Sequence, residues 1–340
     1  MLQKMNTSQI LVDSFGRVHT NLRISVTDRC NIRCFYCMPH EDAPFKPRRE
    51  LLTFEEIERF VRVAAALGVR KLRITGGEPL VRHELPKLVA KLAAVPGIDD
   101  LAMTTNGMLL AQQAAALKQA GLQRLNISLD TMREETFERI ARRRGLDQVL
   151  AGIAEAQVQG FRRIRLNAVA IRGITEDEIV PLAEFARQHN MELRFIEFMP
   201  LDGEQRWQED LVLPGEEIRA RLEAEFGPLT PAERPDPSQP AVDYRFPDGS
   251  LIGFINPVSQ PFCSDCNRLR ITAEGQVRNC LFSTAEWDAR AILRGGGSDD
   301  DLAAVIRACV AAKKPGHGID EPGFLRPQRA MFQIGGQTTM

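Results

Sequence analysis

The chain has 340 residues with 44 basic and 45 acidic side chains, so its net charge is −1 and no global field draws it to nucleic acid or an anionic membrane. Hydrophobic residues make up 44% and charged residues 26%, the balance of an ordinary globular protein. There is no apolar run of the roughly 18 residues that a membrane span needs, and "MLQKMNTSQILVDSFGR" lacks the apolar core of a secretory leader. A cytoplasmic protein is expected, with its seven cysteines as thiols or thiolates rather than disulfides.

After an N-terminal segment, residues 1–21, the chain alternates strand-like and helix-like stretches. "LRISVT" (22–27) is short and β-branched. Phe54, Ile57, Phe60, Val61 and Ala64 then follow helical spacing, with Thr53 and Glu56 as a capping box and Gly68 as the stop. "KLRIT" (71–75), a helix near 84–94, "LAMTT" (101–105), a helix near 109–120 and "LNISL" (125–129) come next. One or two helices lie between 133 and 158, followed by "IRLNAVAI" (164–171), a helix near 176–189 and "ELRFIEF" (192–198).

Six strands alternating with helices imply an α/β fold of parallel βα units with right-handed crossovers. Periodicity leaves open whether the sheet is doubly wound or curled into a barrel, and a complete eight-fold barrel would need two more βα units. This pattern defines a domain over residues 22–227. Residues 228–241, with five prolines, read as a linker or a loop wrapped over the surface. Residues 242–340 change character, with hairpins turning at Asp248-Gly249 and Glu274-Gly275 and a helix from Asp299 to Ala312.

In parallel βα folds chemistry gathers at the C-terminal ends of the strands. Here those ends carry a cysteine loop, "GGEP" (76–79), "TTNG" (104–107), "SLD" (128–130), Asn167 and "EFMP" (197–200). Gly76 and Gly77 would allow close backbone approach to a ligand, and Glu78 would offer a carboxylate to a positive group. Six such ends predict one mouth holding a large polar ligand set.

Cys30, Cys34 and Cys37 form C-x3-C-x2-C directly after the first strand. Three thiolates can hold three corners of a [4Fe–4S] cube and leave the fourth iron open to a small molecule. The competing reading is a zinc ion held by the same three cysteines with His40. The C-x3-C-x2-C loop with Tyr36 between its last two cysteines, the "GGEP" motif and the six βα units resemble the radical S-adenosylmethionine enzymes. That resemblance implies a partial, six-stranded (β/α)6 TIM-like barrel. It also implies a cluster whose open iron is chelated by S-adenosylmethionine, which is cleaved to methionine and a 5′-deoxyadenosyl radical.

A second group, Cys263, Cys266 and Cys280, again offers three ligands, with His317 as the fourth if the metal were zinc. Cys309 reads as core, and His83, His189 and Asp130 as structural. Arg23, Lys71, Arg73, Arg165, Arg194, Arg268 and Arg270 lie on or beside predicted strands. Lys71 with Arg73, and Arg268 with Arg270, are same-face pairs at strand spacing. Each alone reads as solvated or salt-bridged. Together they suit the oxygens of a polyanionic substrate inside the barrel.

From about residue 12 to 336 the chain is similar to the GTP 3′,8-cyclase family of molybdenum cofactor biosynthesis, in "DSFGR", "LRISVTDRCNIRCFYCMP", "KLRITGGEPLVR", "TTNG", "NISLDT", "IEFMP", "FCSDCNRLRITAEG" and "IGG". The resemblance implies that the C-terminal region closes the barrel and carries a second [4Fe–4S] cluster whose open iron binds the guanine of GTP. It assigns Tyr36, Gly77, Glu78, Ser128 and Met199 to S-adenosylmethionine. It assigns Arg23, Lys71, Arg73, Thr104, Arg165, Arg194, Arg268, Leu269 and Arg270 to GTP. The implied reaction abstracts the ribose 3′ hydrogen, joins C3′ to C8 of guanine and ends, after reduction and uptake of a proton, at 3′,8-cyclo-7,8-dihydro-GTP. An electron donor and a downstream cyclic pyranopterin monophosphate synthase are the implied partners of a monomer or homodimer, with no nucleic acid and no membrane. No general-base dyad is expected, because the cofactor carries the chemistry. Two departures stand out. Arg165 replaces the family's usual lysine, and four residues follow the Gly335-Gly336 pair that the family inserts, as its free tail, into the active site.

Overall fold

The computed structural model describes residues 10–38, 43–202, 204, 206–319 and 321–335. Twelve strands form one sheet among the described residues. They are β1 (Asn21–Ser25), β2 (Lys71–Thr75), β3 (Asp100–Thr105), β4 (Arg124–Ser128), β5 (Ile164–Ala170) and β6 (Glu192–Glu197), then β7 (Thr230–Pro231), β8 (Val242–Arg245), β9 (Leu251–Ile255), β10 (Arg268–Ile271), β11 (Gln276–Arg278) and β12 (Trp287–Asp288). The helices are α1 (Phe54–Ala66), α2 (Leu85–Ala93), α3 (Leu110–Gln119), α4 (Glu134–Ala141), α5 (Leu146–Val158), α6 (Ile179–Gln188), α7 (Gly215–Phe226), α8 (Ala289–Arg294) and α9 (Asp299–Ala311).

The six predicted strands pair in parallel in chain order, β1 to β6. The capping box on α1 is present, with Thr53 N donating to Glu56 at 2.7 Å and Glu56 N to Thr53 Oγ1 at 3.2 Å. Both predicted hairpins form, β8–β9 and β10–β11.

The C-terminal region departs from expectation. It does not close the sheet, whose strand order runs β12-β11-β10-β1-β2-β3-β4-β5-β6-β9-β8-β7 with β12 and β7 as edges. Instead β9 adds in parallel to β6 and β10 in parallel to β1, at opposite edges. The two extra parallel strands that sequence reasoning found missing therefore exist. They arrive as one arm of each hairpin, and a hairpin's sequence does not say which sheet edge it will extend. Helix α7, unpredicted, fills the connection after β6.

Alternation along the strands sorts the side chains. Leu22, Ile24, Leu72, Ile74, Leu125, Ile127, Leu193, Phe195, Leu269 and Ile271 join one buried cluster with the helices. The alternate positions make the opposite face polar and cationic. Arg270, Arg23 and Arg73 lie on one rung across three strands, and Asn167 pairs in register with Arg194. No helix among the described residues is long and apolar enough to cross a membrane.

Candidate active site

The first cysteine loop leaves the C-terminal end of β1 and docks on α4, with Arg33 N donating to Ala141 O and Phe35 N to Ile140 O. Cys37 N and Met38 N both donate to Cys34 O, which curls the loop back on itself. A cavity here is lined by Cys30, Cys34, Cys37, Tyr36, Gly77, Asn106, Ser128 and Phe332 among others. Burial, with Glu78 adding to it, pushes the Cys30 thiol up to about 12, and burial raises Cys34 and Cys37 as well. Buried thiolates need a cation beside them, and the iron of a cluster held by Cys30, Cys34 and Cys37 would supply it. The donor set therefore fits an iron–sulfur cluster.

The glycines of "GGEP" serve a different purpose from the one expected. Gly77 N donates to Thr27 O and Glu78 N to Arg29 O, both at 2.7 Å. A Cβ on Gly77 would sit 2.2 Å from Arg29 O, so the close approach is to the base of the cysteine loop. The Glu78 carboxylate is wholly buried and accepts from Leu80 N at 3.0 Å, Thr105 Oγ1 at 2.7 Å and Asn106 N at 2.7 Å. It ties "GGEP" to "TTNG" and lies outside the cavity lining. Asn106, which lies in "TTNG" but is given no role of its own from sequence, completes the tie by donating to Asn31 Oδ1 at 2.8 Å beside Cys30. Tyr36 donates to Asp130 Oδ2 at 2.6 Å, which gives Asp130 its structural role. Met199 joins an apolar cluster with Leu281, Met331 and Ile334, against which both Cys37 and Cys280 pack. That layer lies beside both cysteine groups.

The second group is at the other end of the strands. Cys263 and Cys266 precede β10, and Cys280 follows its antiparallel partner β11, so all three lie near the N-terminal end of β10 and of its parallel neighbour β1. Their cavity is lined by Phe262, Arg268, Arg270, Asn279, Leu281, Phe282 and His317. Burial raises the Cys266 thiol, but Arg268 and Lys313 outweigh it and bring it down to about 5. Arg268 donates to the Cys266 sulfur through Nε at 3.2 Å and Nη2 at 3.1 Å. His317 bonds to Pro257 O through Nε2 at 2.9 Å and accepts from Ile319 N through Nδ1 at 3.2 Å, so neither ring nitrogen is offered to a metal. Among the described residues no three His, Cys, Asp or Glu side chains form a group that could hold a metal ion. His40 lies outside the described residues. Sulfurs spread around a void suit a cluster better than a zinc ion, which needs ligands converging on one point. Cys309 is buried core.

A cavity of about 660 Å³ also opens at the N-terminal ends of the strands. One mouth at the C-terminal ends was expected; cavities open at both ends of the strands. Ten basic side chains against three carboxylates line the cavity: Arg23, Lys71, Arg73, Lys118, Arg124, Arg162, Arg163, Arg165, Arg194 and Arg268 with Asp99, Asp100 and Asp236. Arg23 is 3% exposed, and its Nε and Nη1 have no hydrogen-bond partner. Burial, then crowding by Arg270, Arg73 and Arg268, pushes its guanidinium well below the usual range. Burial first and neighbouring cations second bring Arg73 and Arg270 down to about 9. Such a site favours a polyanion.

Several of these cations hold internal partners. Arg165 Nε and Arg194 Nε each lie 2.6 Å from one oxygen of Glu192, so the Arg165 fork is engaged sideways. Lys71 Nζ lies 2.5 Å from Asp236 Oδ2 in the proline-rich segment, which walls the cavity with Asp236, Ser238, Gln239 and Pro240. Sequence reasoning missed Glu192 and Asp236. Thr104 is fully buried in β3, and Leu269 is buried in the core with the helices. His83 is exposed, and the His189 ring packs on Phe185.

Gly335, with φ +64°, packs against Ser25 and Thr75 at the C-terminal ends of β1 and β2. A Cβ there would be 2.6 Å from Thr75 Oγ1, and its carbonyl accepts from Arg270 Nη1 at 3.2 Å. Gly336 and the four residues after it lie outside the described residues.

Residues 24–186 match the Radical SAM superfamily model, and residues 191–319 match the Molybdenum Cofactor Synthesis C model. The chain is 53% identical over 330 residues to a GTP 3′,8-cyclase of Rhodopirellula baltica, covering 96% of this chain and 92% of that one. It is 45% identical over 325 residues to a GTP 3′,8-cyclase of Pelotomaculum thermopropionicum, covering 95% and 99%. Among solved structures, SuiB of Streptococcus suis bound to S-adenosylmethionine superposes with a TM-score of 0.61 at 16% identity, over 86% of this chain and 69% of that one, a likeness of fold. The near-full-length identities, with both cysteine groups and the basic cavity in place, show that the chain belongs to the GTP 3′,8-cyclase family of the radical S-adenosylmethionine superfamily.

Proposed function

We propose that this chain converts GTP to (8S)-3′,8-cyclo-7,8-dihydroguanosine 5′-triphosphate with two [4Fe–4S] clusters, one at Cys30, Cys34 and Cys37 and one at Cys263, Cys266 and Cys280. The observation that carries the reading is the position of Arg268. It lines both the basic cavity and the cavity of the second cysteines, beside the unpartnered donors of Arg23. A ligand with a triphosphate at one end and a base at the other spans those two cavities.

The cluster that binds S-adenosylmethionine supplies, on reduction, a carbon radical able to abstract hydrogen from the ribose. The protein's part is to bind, orient and exclude water. Arg23, Lys71, Arg73, Arg165 and Arg194 neutralise the triphosphate, and Thr104 and the Leu269 backbone are further candidate contacts. Arg268 and Arg270 set the base, and Arg270 also holds the Gly335 carbonyl, which brings the C-terminal segment against β1 and β2. Tyr36, Gly77 and Ser128 line the first cavity, where S-adenosylmethionine would lie. Glu78 acts one step back, through the loops it ties, and Met199 through the apolar layer between the cysteine groups.

The six parallel strands β1 to β6 are read as a partial (β/α)6 TIM-like barrel with GTP in its lumen. The reaction needs an external electron donor, and its product would pass to a cyclic pyranopterin monophosphate synthase. Anaerobic reconstitution with iron and sulfide, then incubation with GTP, S-adenosylmethionine and a strong reductant, tests the proposal. The cyclised nucleotide and one 5′-deoxyadenosine per product are expected. Deoxyadenosine released at a rate indifferent to GTP, with no cyclised product, would refute it.

A further inference from the structure

Lys313 is 5% exposed and follows α9, far in sequence from either cysteine group. Its ammonium makes three hydrogen bonds, to Asn279 O at 2.8 Å, Arg268 O at 3.0 Å and Cys266 Sγ at 3.3 Å. No carboxylate is among those partners, so the counter-charge falls to the Cys266 sulfur in contact with it, with the Cys280 sulfur adding to it. An ammonium taken out of water is costly unless paired.

The contact is braced from outside. Arg17 donates to Lys314 O at 2.7 Å, Pro315 O at 3.0 Å and Cys263 O at 2.7 Å, and its Nε lies 2.6 Å from Asp13 Oδ2. One guanidinium therefore holds the two residues that follow Lys313 and the backbone of a cysteine in the second group. Asn279 precedes Cys280, so the ammonium also pins the third cysteine's strand end.

We propose that Lys313 is a positioning residue of the second cluster, one that fixes the Cys266 sulfur and raises the cluster's reduction potential by holding a positive charge and an N–H donor on that sulfur. Hydrogen bonds to ligating sulfurs and local charge are the levers by which a protein sets such potentials. A cation beside the cluster stabilises its more negative, reduced form. This inference rests on the second cluster proposed above.

The test compares reconstituted wild-type, Lys313→Met and Lys313→Arg proteins by iron content and by EPR-monitored redox titration. Adding S-adenosylmethionine identifies the first cluster's signal by shifting it; the signal that stays belongs to the second. The expected result is two clusters in each protein, a second-cluster midpoint at lower potential in Lys313→Met, near wild type in Lys313→Arg, and an unchanged first midpoint. Loss of the second cluster from Lys313→Met with retention in Lys313→Arg supports the same contact. An unshifted midpoint in a fully loaded Lys313→Met protein, or loss of the second cluster from both folded variants, overturns the role of Lys313. Wild-type protein that holds one cluster overturns the two-cluster reading itself.

Discussion

Asp236 stands on Lys71, with Oδ2 2.5 Å from Nζ, at the rim of a cavity built for anions. Both side chains are more than a third exposed, so the pair contributes on the order of 0–1 kcal/mol. A triphosphate competes with Asp236 for the same ammonium. Asp236→Asn should tighten GTP binding about two- to fivefold, by that 1 kcal/mol limit. Isothermal titration in protein lacking S-adenosylmethionine measures it, and weaker binding would show instead that Asp236 closes the loop over the ligand.

Arg23 predicts a conflict between stability and function. Its buried, unpartnered donors cost the ligand-free protein free energy. Arg23→Met should leave the ligand-free chain as stable or more stable, by about 1–3 kcal/mol. GTP affinity should fall more than about tenfold with loss of a charge-assisted contact. Denaturant melts with and without GTP read both effects; a destabilised variant that still gains stability from GTP would contradict the assignment.

The two cysteine groups should fail differently. Cys34→Ser is expected to abolish cleavage of S-adenosylmethionine. Cys280→Ser should keep some cleavage uncoupled from product and lose GTP turnover. Deoxyadenosine and cyclised nucleotide, quantified by chromatography, distinguish the cases; equal, wild-type-like turnover in both variants would remove the basis for two clusters.

Gly77→Ala should disturb the first cluster without touching it. The added Cβ meets backbone, Arg29 O at 2.2 Å, so the cysteine loop must move. Iron content should fall by about half, one cluster of two, while the absorbance of the second remains. Full iron loading would show that the loop tolerates the shift.

The pH dependence of the apoprotein should carry the mark of His19, wholly buried with Nε2 3.0 Å from Asp13 Oδ2. Burial, then Lys313, holds its imidazole down to about 4 from 6.5, against the pull of Asp13. Below 6.5 the unfolded chain takes up a proton that the folded chain refuses, so stability is fully present above pH 6.5 and is lost as pH falls toward 4. The loss from this residue is about 3 kcal/mol at most. His19→Gln should flatten that window in urea melts between these pH values; an identical slope would mean that other groups set the acid lability.

Much of this protein was legible one residue at a time. Two groups of three cysteines, the β-branched runs separated by helical spacing, the Thr53–Glu56 box and the same-face pairing of Arg268 with Arg270 are local patterns, set by covalent spacing and by the periods of strand and helix. The tertiary structure decided everything that depends on which distant segments meet. Strand polarity put the second cysteines and the basic cavity at the end opposite the first cysteines, because β10 pairs in parallel with β1. Pairing at free sheet edges left the sheet open and supplied its two extra parallel strands. Three groups around the site, Glu192 between Arg165 and Arg194, Asp236 on Lys71 and Lys313 on Cys266, carry no motif of their own, and the "TTNG" motif does not say that its Asn106 reaches Asn31 beside Cys30. A buried charge is given its partner by the fold, since the cost of leaving it unpaired is incurred only once water is gone.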